Sequence, residues 1–260
     1  MNRTTLSSGW RVIVVGVLAA TLGACVTTGD QDKSKTPEGR KAAAGFNLRL
    51  GAAYMQQNNL TAAKEVLDKA NKESPENAEV HAMLAVLQER LGDNRKADTE
   101  HRTALRLAPE NPDVQNNYAV FLCRTGKTAE GVKLFETAAA NKLYRTPWVA
   151  YTNAGVCLRN EKRNDEASKE LALALNANPA YTEAVFQAAE LELMQGMLVE
   201  ARVRVSAWLL QNPATPEMLQ LGWRIAKAQA DEPAATQFYN RLHQEFPDSA
   251  ATRSVETPPP

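Results

Sequence analysis

Five prolines set the frame. Pro75 and Pro109, Pro179 and Pro213, and Pro213 and Pro247 are each 34 residues apart, and Pro109 to Pro179 is 70, two periods plus two residues. A fixed period of this size means that one supersecondary unit is used again and again, which restricts the chain to a stack of like units. With each proline counted as position 32, position 20 reads Ala63, Ala97, Gly131, Ala167, Ala201 and Ala235. Position 27 reads Ala70, Ala104, Ala138, Ala174, Trp208 and Leu242. Each unit holds two apolar-periodic segments of roughly 12 to 14 residues, the pattern of amphipathic helices. Small residues where the two helices cross let them approach closely, and the closing proline ends the second helix because it lacks an N–H and restricts its predecessor.

The first unit adds Leu50, Gly51, Tyr54, Ala63, Leu67, Ala70 and Pro75 at the remaining hallmark positions. The pattern resembles the tetratricopeptide repeat, in six copies: 44–77, 78–111, 112–147, 148–181, 182–215 and 216–247. That resemblance implies an all-α, right-handed superhelical α-solenoid with no strand. One such unit cannot bury its apolar face alone, so the stack shares an elongated core. Turns between paired helices carry Asn58-Asn59, Gly92-Asp93, Gly126-Lys127, Asn164-Asp165 and Gly196, residues that accept left-handed backbone. Helix B of repeat three has no closing proline and runs into the segment 141–147, so this slipped joint is expected to be the weakest interface of the stack.

The chain begins with an address. Residues 1–11 hold Arg3 and Arg11 and no acid, and Val12 to Ala24 are apolar or small. Thirteen residues are too few to span a bilayer, which takes about 20, but suit the apolar core of a signal peptide over 1–24. Leu22-Gly23-Ala24-Cys25 resembles a bacterial lipobox, which implies cleavage before Cys25 and acylation of that cysteine; the other reading is an ordinary secretory signal with a chance cysteine. Val26 stands where an aspartate would resemble an inner-membrane retention signal, favouring the periplasmic face of the outer membrane. Residues 25–43 read as a flexible tether and 248–260, ending Pro258-Pro259-Pro260, as a disordered tail.

Charge excludes more than it suggests. The chain has 30 basic and 30 acidic residues, and loss of residues 1–24 leaves 28 against 30, so nothing argues for a nucleic-acid partner. His81, His101 and His243 lie in different repeats without metal-ligand spacing, and read as packing or surface residues. No phosphate loop, nucleophile elbow or HExxH motif occurs. No enzyme activity, cofactor, metal or small-molecule substrate is expected.

Once Cys25 is assigned to lipid, Cys123 and Cys157 remain. They fall on the first helices of adjacent repeats, which run side by side, so in an oxidising compartment the thiols can meet. The alternative is two buried free cysteines acting as small hydrophobes. A bond closing about 35 residues would stabilise by roughly 3–4 kcal/mol in the chain-entropy model.

The wording of this region narrows the reading. Asn116-Asn117-Tyr118, Phe121-Leu122-Cys123, Gly126, Phe135, Tyr144-x-Thr146-Pro147 and Asn153-x-Gly155-x-Cys157 resemble the PilF/PilW family of type IV pilus biogenesis lipoproteins. Membership implies a pilotin that delivers the pilus secretin to the outer membrane and supports its multimerisation. In tetratricopeptide repeats, positions 2, 5, 9, 12 and 13 of helix A line the concave face. They place Leu48, Ala52, Met55, Ala82, Val86 and Arg90 in an expected groove for a segment of the secretin subunit, apolar inside and charged at the rim. A tetratricopeptide adaptor of another envelope machine, for barrel insertion or cell-wall synthase regulation, is the second reading; it need not carry the cysteine pair.

Overall fold

The computed structural model describes residues 36–256, so the signal segment, Cys25 and most of the tether lie outside the described residues. Twelve helices pair in chain order: α1 (Pro37–Gln56) with α2 (Leu60–Glu73), α3 (Ala78–Arg90) with α4 (Asn94–Leu107), and α5 (Pro112–Arg124) with α6 (Thr128–Ala140). Then come α7 (Pro147–Asn160) with α8 (Asn164–Ala177), α9 (Thr182–Met194) with α10 (Leu198–Gln211), and α11 (Pro216–Ala228) with α12 (Glu232–Glu245). A thirteenth helix, α13 (Ala250–Glu256), follows, and there is no strand among the described residues. The two helices of each pair touch each other and the first helix of the next pair, and α13 takes that place after the last pair. This is a tetratricopeptide α-solenoid.

Local chemistry sets these boundaries. Asn59, Asn77, Asp93, Asn111 and Asp231 each accept a hydrogen bond from a backbone N–H of the first turn they precede, worth about 1 kcal/mol per cap. His81 Nε2 bonds to Pro75 O (2.8 Å), and Gln115 Nε2, one period later, donates to Pro109 O (2.6 Å). Position four of helix A thus ties down the carbonyl of the preceding proline turn. At the helix crossing the space is minimal: a Cβ on Gly51 would lie 2.6 Å from Leu67 Cγ.

Several expectations need correction. The first helix starts at Pro37, not 44, because Thr36 accepts from Gly39 N (3.0 Å) and Pro37 supplies a preset φ at the start. The tail is helical from 250: Ser249 Oγ accepts from Thr252 N (3.0 Å), and Ala251 and Val255 are buried against Leu219 and Leu242. α13 stands one period after α11 and caps the stack's last apolar face. In the fourth repeat the left-handed residue is Lys162 (φ 59), not Asn164, and Ala230 (φ 54) takes the same place in the sixth.

The slipped joint is not weak. α6 and α7 pack more extensively than any other B helix with the next A helix. The two extra residues carry Tyr144 into the cluster of Phe135, Ala138, Ala150 and Ala154. Asn141 fastens the loop by donating from Nδ2 to Glu110 O and accepting at Oδ1 from Leu143 N, both 2.9 Å. The insertion is a packed plug.

Candidate partner-binding groove

Helix A of each repeat presents its ninth position to the concave side. In order these residues are Ala52, Val86, Val120, Val156, Glu190 and Arg224. The first four are apolar; Val120 is 39% exposed, and Ala52, Val86 and Val156 are half-buried. The last two form an ion pair. An apolar strip therefore crosses four repeats and ends at a charged step.

Of the expected groove residues, Ala52 and Val86 belong to this strip and Leu48 lies one turn before Ala52 on the same helix; Leu48 and Val86 also pack on the first core cluster. Met55 does not belong to the surface: it is 3% exposed, inside that cluster. Ala82 is buried with Ala104 and Val114. Arg90 is exposed, but its Nη1 donates to Met55 O (2.5 Å), so it caps the end of α1. Position 12 turns inward here because the neighbouring A helix covers it. Val120 and Val156 were legible by carrying position nine past repeat two. Phe46, 59% exposed on α1, has no such signal.

Cys123 on α5 and Cys157 on α7 are paired as a disulfide, with Cα atoms 5.7 Å apart. The pair accounts for a glycine at position 20, where the other repeats have alanine: a Cβ on Gly131 would come within 2.7 Å of Cys123 Sγ and 2.9 Å of Ala119 O. Beside it, Asn153 Nδ2 donates to Asn116 Oδ1 (3.0 Å), a second link between the same helices.

The polar interior between repeats two and three is tied to structure. His101 is buried against Tyr118 and Phe121, and its Nε2 lies 2.7 Å from Glu89 Oε1. Burial pushes the imidazole down to about 4, so the neutral ring donates to Glu89, whose charge is balanced by Arg124. Tyr118 donates to Asp98 (2.9 Å), and burial with that bond pushes the phenol up to about 12. His81 moves the other way, raised chiefly by its hydrogen bond to Glu100. Among the described residues no three His, Cys, Asp or Glu side chains gather as a metal site, and no helix is long and apolar enough to cross a membrane.

Comparison with known proteins fits this geometry. Models of the tetratricopeptide repeat match residues 40–87, 54–100, 82–144 and 149–181. The type IV pilus assembly protein PilF of Pseudomonas aeruginosa is 30% identical over 239 residues, 92% of this chain and 95% of its own length. The chain belongs to the PilF/PilW family. The crystal structure of PilW, described as a widely conserved type IV pilus biogenesis factor, superposes with a TM-score of 0.71 at 29% identity, covering 82% of this chain and 98% of PilW. The structure of Pseudomonas aeruginosa PilF gives 0.67 at 27% identity, over 84% and 98%. An uncharacterised Haemophilus influenzae protein is 30% identical over 142 residues, 55% of this chain and 76% of its own.

Proposed function

We propose that this protein is a non-enzymatic scaffold of type IV pilus biogenesis: a pilotin, lipid-anchored at Cys25 to the periplasmic face of the outer membrane. It holds a segment of the pilus secretin subunit against the concave strip and so promotes secretin delivery and multimerisation. The observation that carries this reading is the strip Ala52–Val86–Val120–Val156, apolar over four repeats, in a chain of the PilF/PilW family. An extended or helical peptide with apolar anchors suits such a surface. Membership supports the pilus, and the strip supports a protein partner. The Cys123–Cys157 bond is proposed to form in the periplasm, an oxidising compartment, and to hold the middle of the strip in register.

The test is replacement of Ala52 and Val120 by glutamate. Both side chains reach the surface, so far-UV circular dichroism should be unchanged. Heat-resistant secretin multimers should disappear from the outer-membrane fraction, together with surface pili and twitching. Multimers that persist in the variant reject the groove. Multimers that persist in a strain lacking the whole protein reject the pilotin reading and favour an adaptor of another envelope machine.

A further inference from the structure

The internal repeats provide a control for every surface position, and one B helix fails it. The outward face of α10 carries Val199, Val203 and Leu210, 66%, 63% and 86% exposed. The residues equivalent to Val203 in the other five B helices are Glu65, Thr99, Lys133, Lys169 and Gln237. Those equivalent to Leu210 are Lys72, Arg106, Ala140, Asn176 and Gln244. The other five helices keep these positions polar or small; α10 places aliphatic residues there over about 16 Å of helix, with Ser206 between Val203 and Leu210. Val203 continues into Ala207 on the wall of the groove described next, and exposed apolar side chains grouped in this way mark an interaction site.

Repeat five also packs differently behind that face. Position 27 is alanine in the first four repeats and Trp208 here. α9 and α10 pack less extensively than the two helices of any other repeat. A groove of about 650 Å³ opens beside them, with Val203, Ala207 and Trp208 along α10 facing Leu175 and Pro179. A smaller cavity of about 230 Å³ adjoins it, sharing Leu175, Glu192 and Arg204. The size is that of a ligand pocket. Trp208 is 7% exposed, and its buried Nε1–H has no acceptor.

The charges select the occupant. Arg204 forks onto both oxygens of Glu192, and Arg202 pairs with Asp231. Glu200, on the groove wall, makes no ion pair among the described residues. An acyl chain would leave Glu200 and the indole N–H unmatched. A second copy docked symmetrically through this face would bring another Glu200, with its Arg202 and Arg204 already paired. We propose that this convex groove is a second docking site, for a polypeptide segment with two or three aliphatic or aromatic side chains on one face and a lysine or arginine beside them. It lies on a B helix, away from the concave strip, so the solenoid can hold two partners at once.

The test uses the full chain and two fluorescein-labelled helical peptides of about 14 residues, four turns, one of leucine and lysine, the other with glutamate for every lysine. Fluorescence anisotropy should show saturable binding of the lysine peptide, about tenfold weaker for the glutamate peptide and for the V203E protein. E200K should narrow the preference between peptides about threefold. Hydrogen exchange should show protection of α8 and α10 on binding. Val203 faces solvent, so V203E should keep the wild-type melting temperature; A207E, exposed on the same groove wall, supplies an independent variant if it does not. Four results overturn the proposal: equal affinity for both peptides, no effect of either variant, protection confined to α1 and α3, or a protein that is dimeric alone and made monomeric by V203E.

Discussion

The joint between repeats three and four and the body of repeat five come from one template and are packed in opposite ways. At the joint, a glycine at position 20 makes room for the Cys123–Cys157 bond, and Tyr144 fills the space opened by two extra residues. In repeat five an indole replaces the alanine of position 27, and the helix pair stands open beside a groove. A solenoid tolerates both because each unit contacts only its neighbours and its stability is close to a sum of local terms. Rigidity and access can therefore be set one repeat at a time.

That independence can be broken in order of effect. The largest change should come from the disulfide: reduction, or replacement of both cysteines by alanine, should cost about 3–4 kcal/mol. It would be read as a lower urea midpoint, with a steeper slope because the freed denatured chain exposes more surface. Hydrogen exchange in α9 and α10 should stay as it was; faster exchange there would show the two regions to be coupled.

Acid should act on the stapled side next. His101 is held neutral at about 4, below its ordinary 6.5. Its contribution is complete above about pH 6.5 and is lost as pH falls towards about 4, by up to about 3 kcal/mol. His81, raised by Glu100, works in the opposite sense: its contribution is present below about 6.5 and is lost as pH rises through its folded value. Urea melts between pH 7 and 4 should show a falling midpoint that H101Q, still a neutral donor to Glu89, flattens. An unchanged slope would move the acid sensitivity elsewhere.

The smallest test lies at the far end. Ala230 holds φ 54 where three other repeats place glycine, which costs an L-residue about 1–2 kcal/mol. A230G should raise stability by about 1 kcal/mol, and K162G by a similar amount at φ 59. Thermal melts check both, and a gain confined to A230G would place the compliant part of the chain beyond repeat five.

The period made the fold legible, because proline ends and small crossing residues are imposed by helix geometry whatever the rest of the unit does. Departures from the period were harder to read. The segment 141–147 looked like slack since the helix before it has no closing proline, yet Asn141 and Tyr144 turn it into contact. The cap α13 was hidden by the Pro-rich end, although Pro247-Asp248-Ser249 repeats the form of Pro75-Glu76-Asn77 and Pro109-Glu110-Asn111. In the groove, position nine could be followed by counting, whereas the burial of Met55 and the capping role of Arg90 depend on how adjacent A helices lean together. The face of α10 stood in the sequence as Val199, Val203 and Leu210, but three aliphatic residues in one helix mean little until the other five helices show what that face ordinarily carries.

Pulling on the two ends of this chain would load its repeats unequally. The Cys123–Cys157 bond closes 34 residues into a covalent loop, so tension applied to the two ends bypasses everything between them. About 120 Å of extensible contour, 34 residues at about 3.5 Å each, is removed from the load path. Under force, the outer repeats would peel first while α6 stays folded inside its loop, and each molecule would keep an unextended middle from which both ends can wind back.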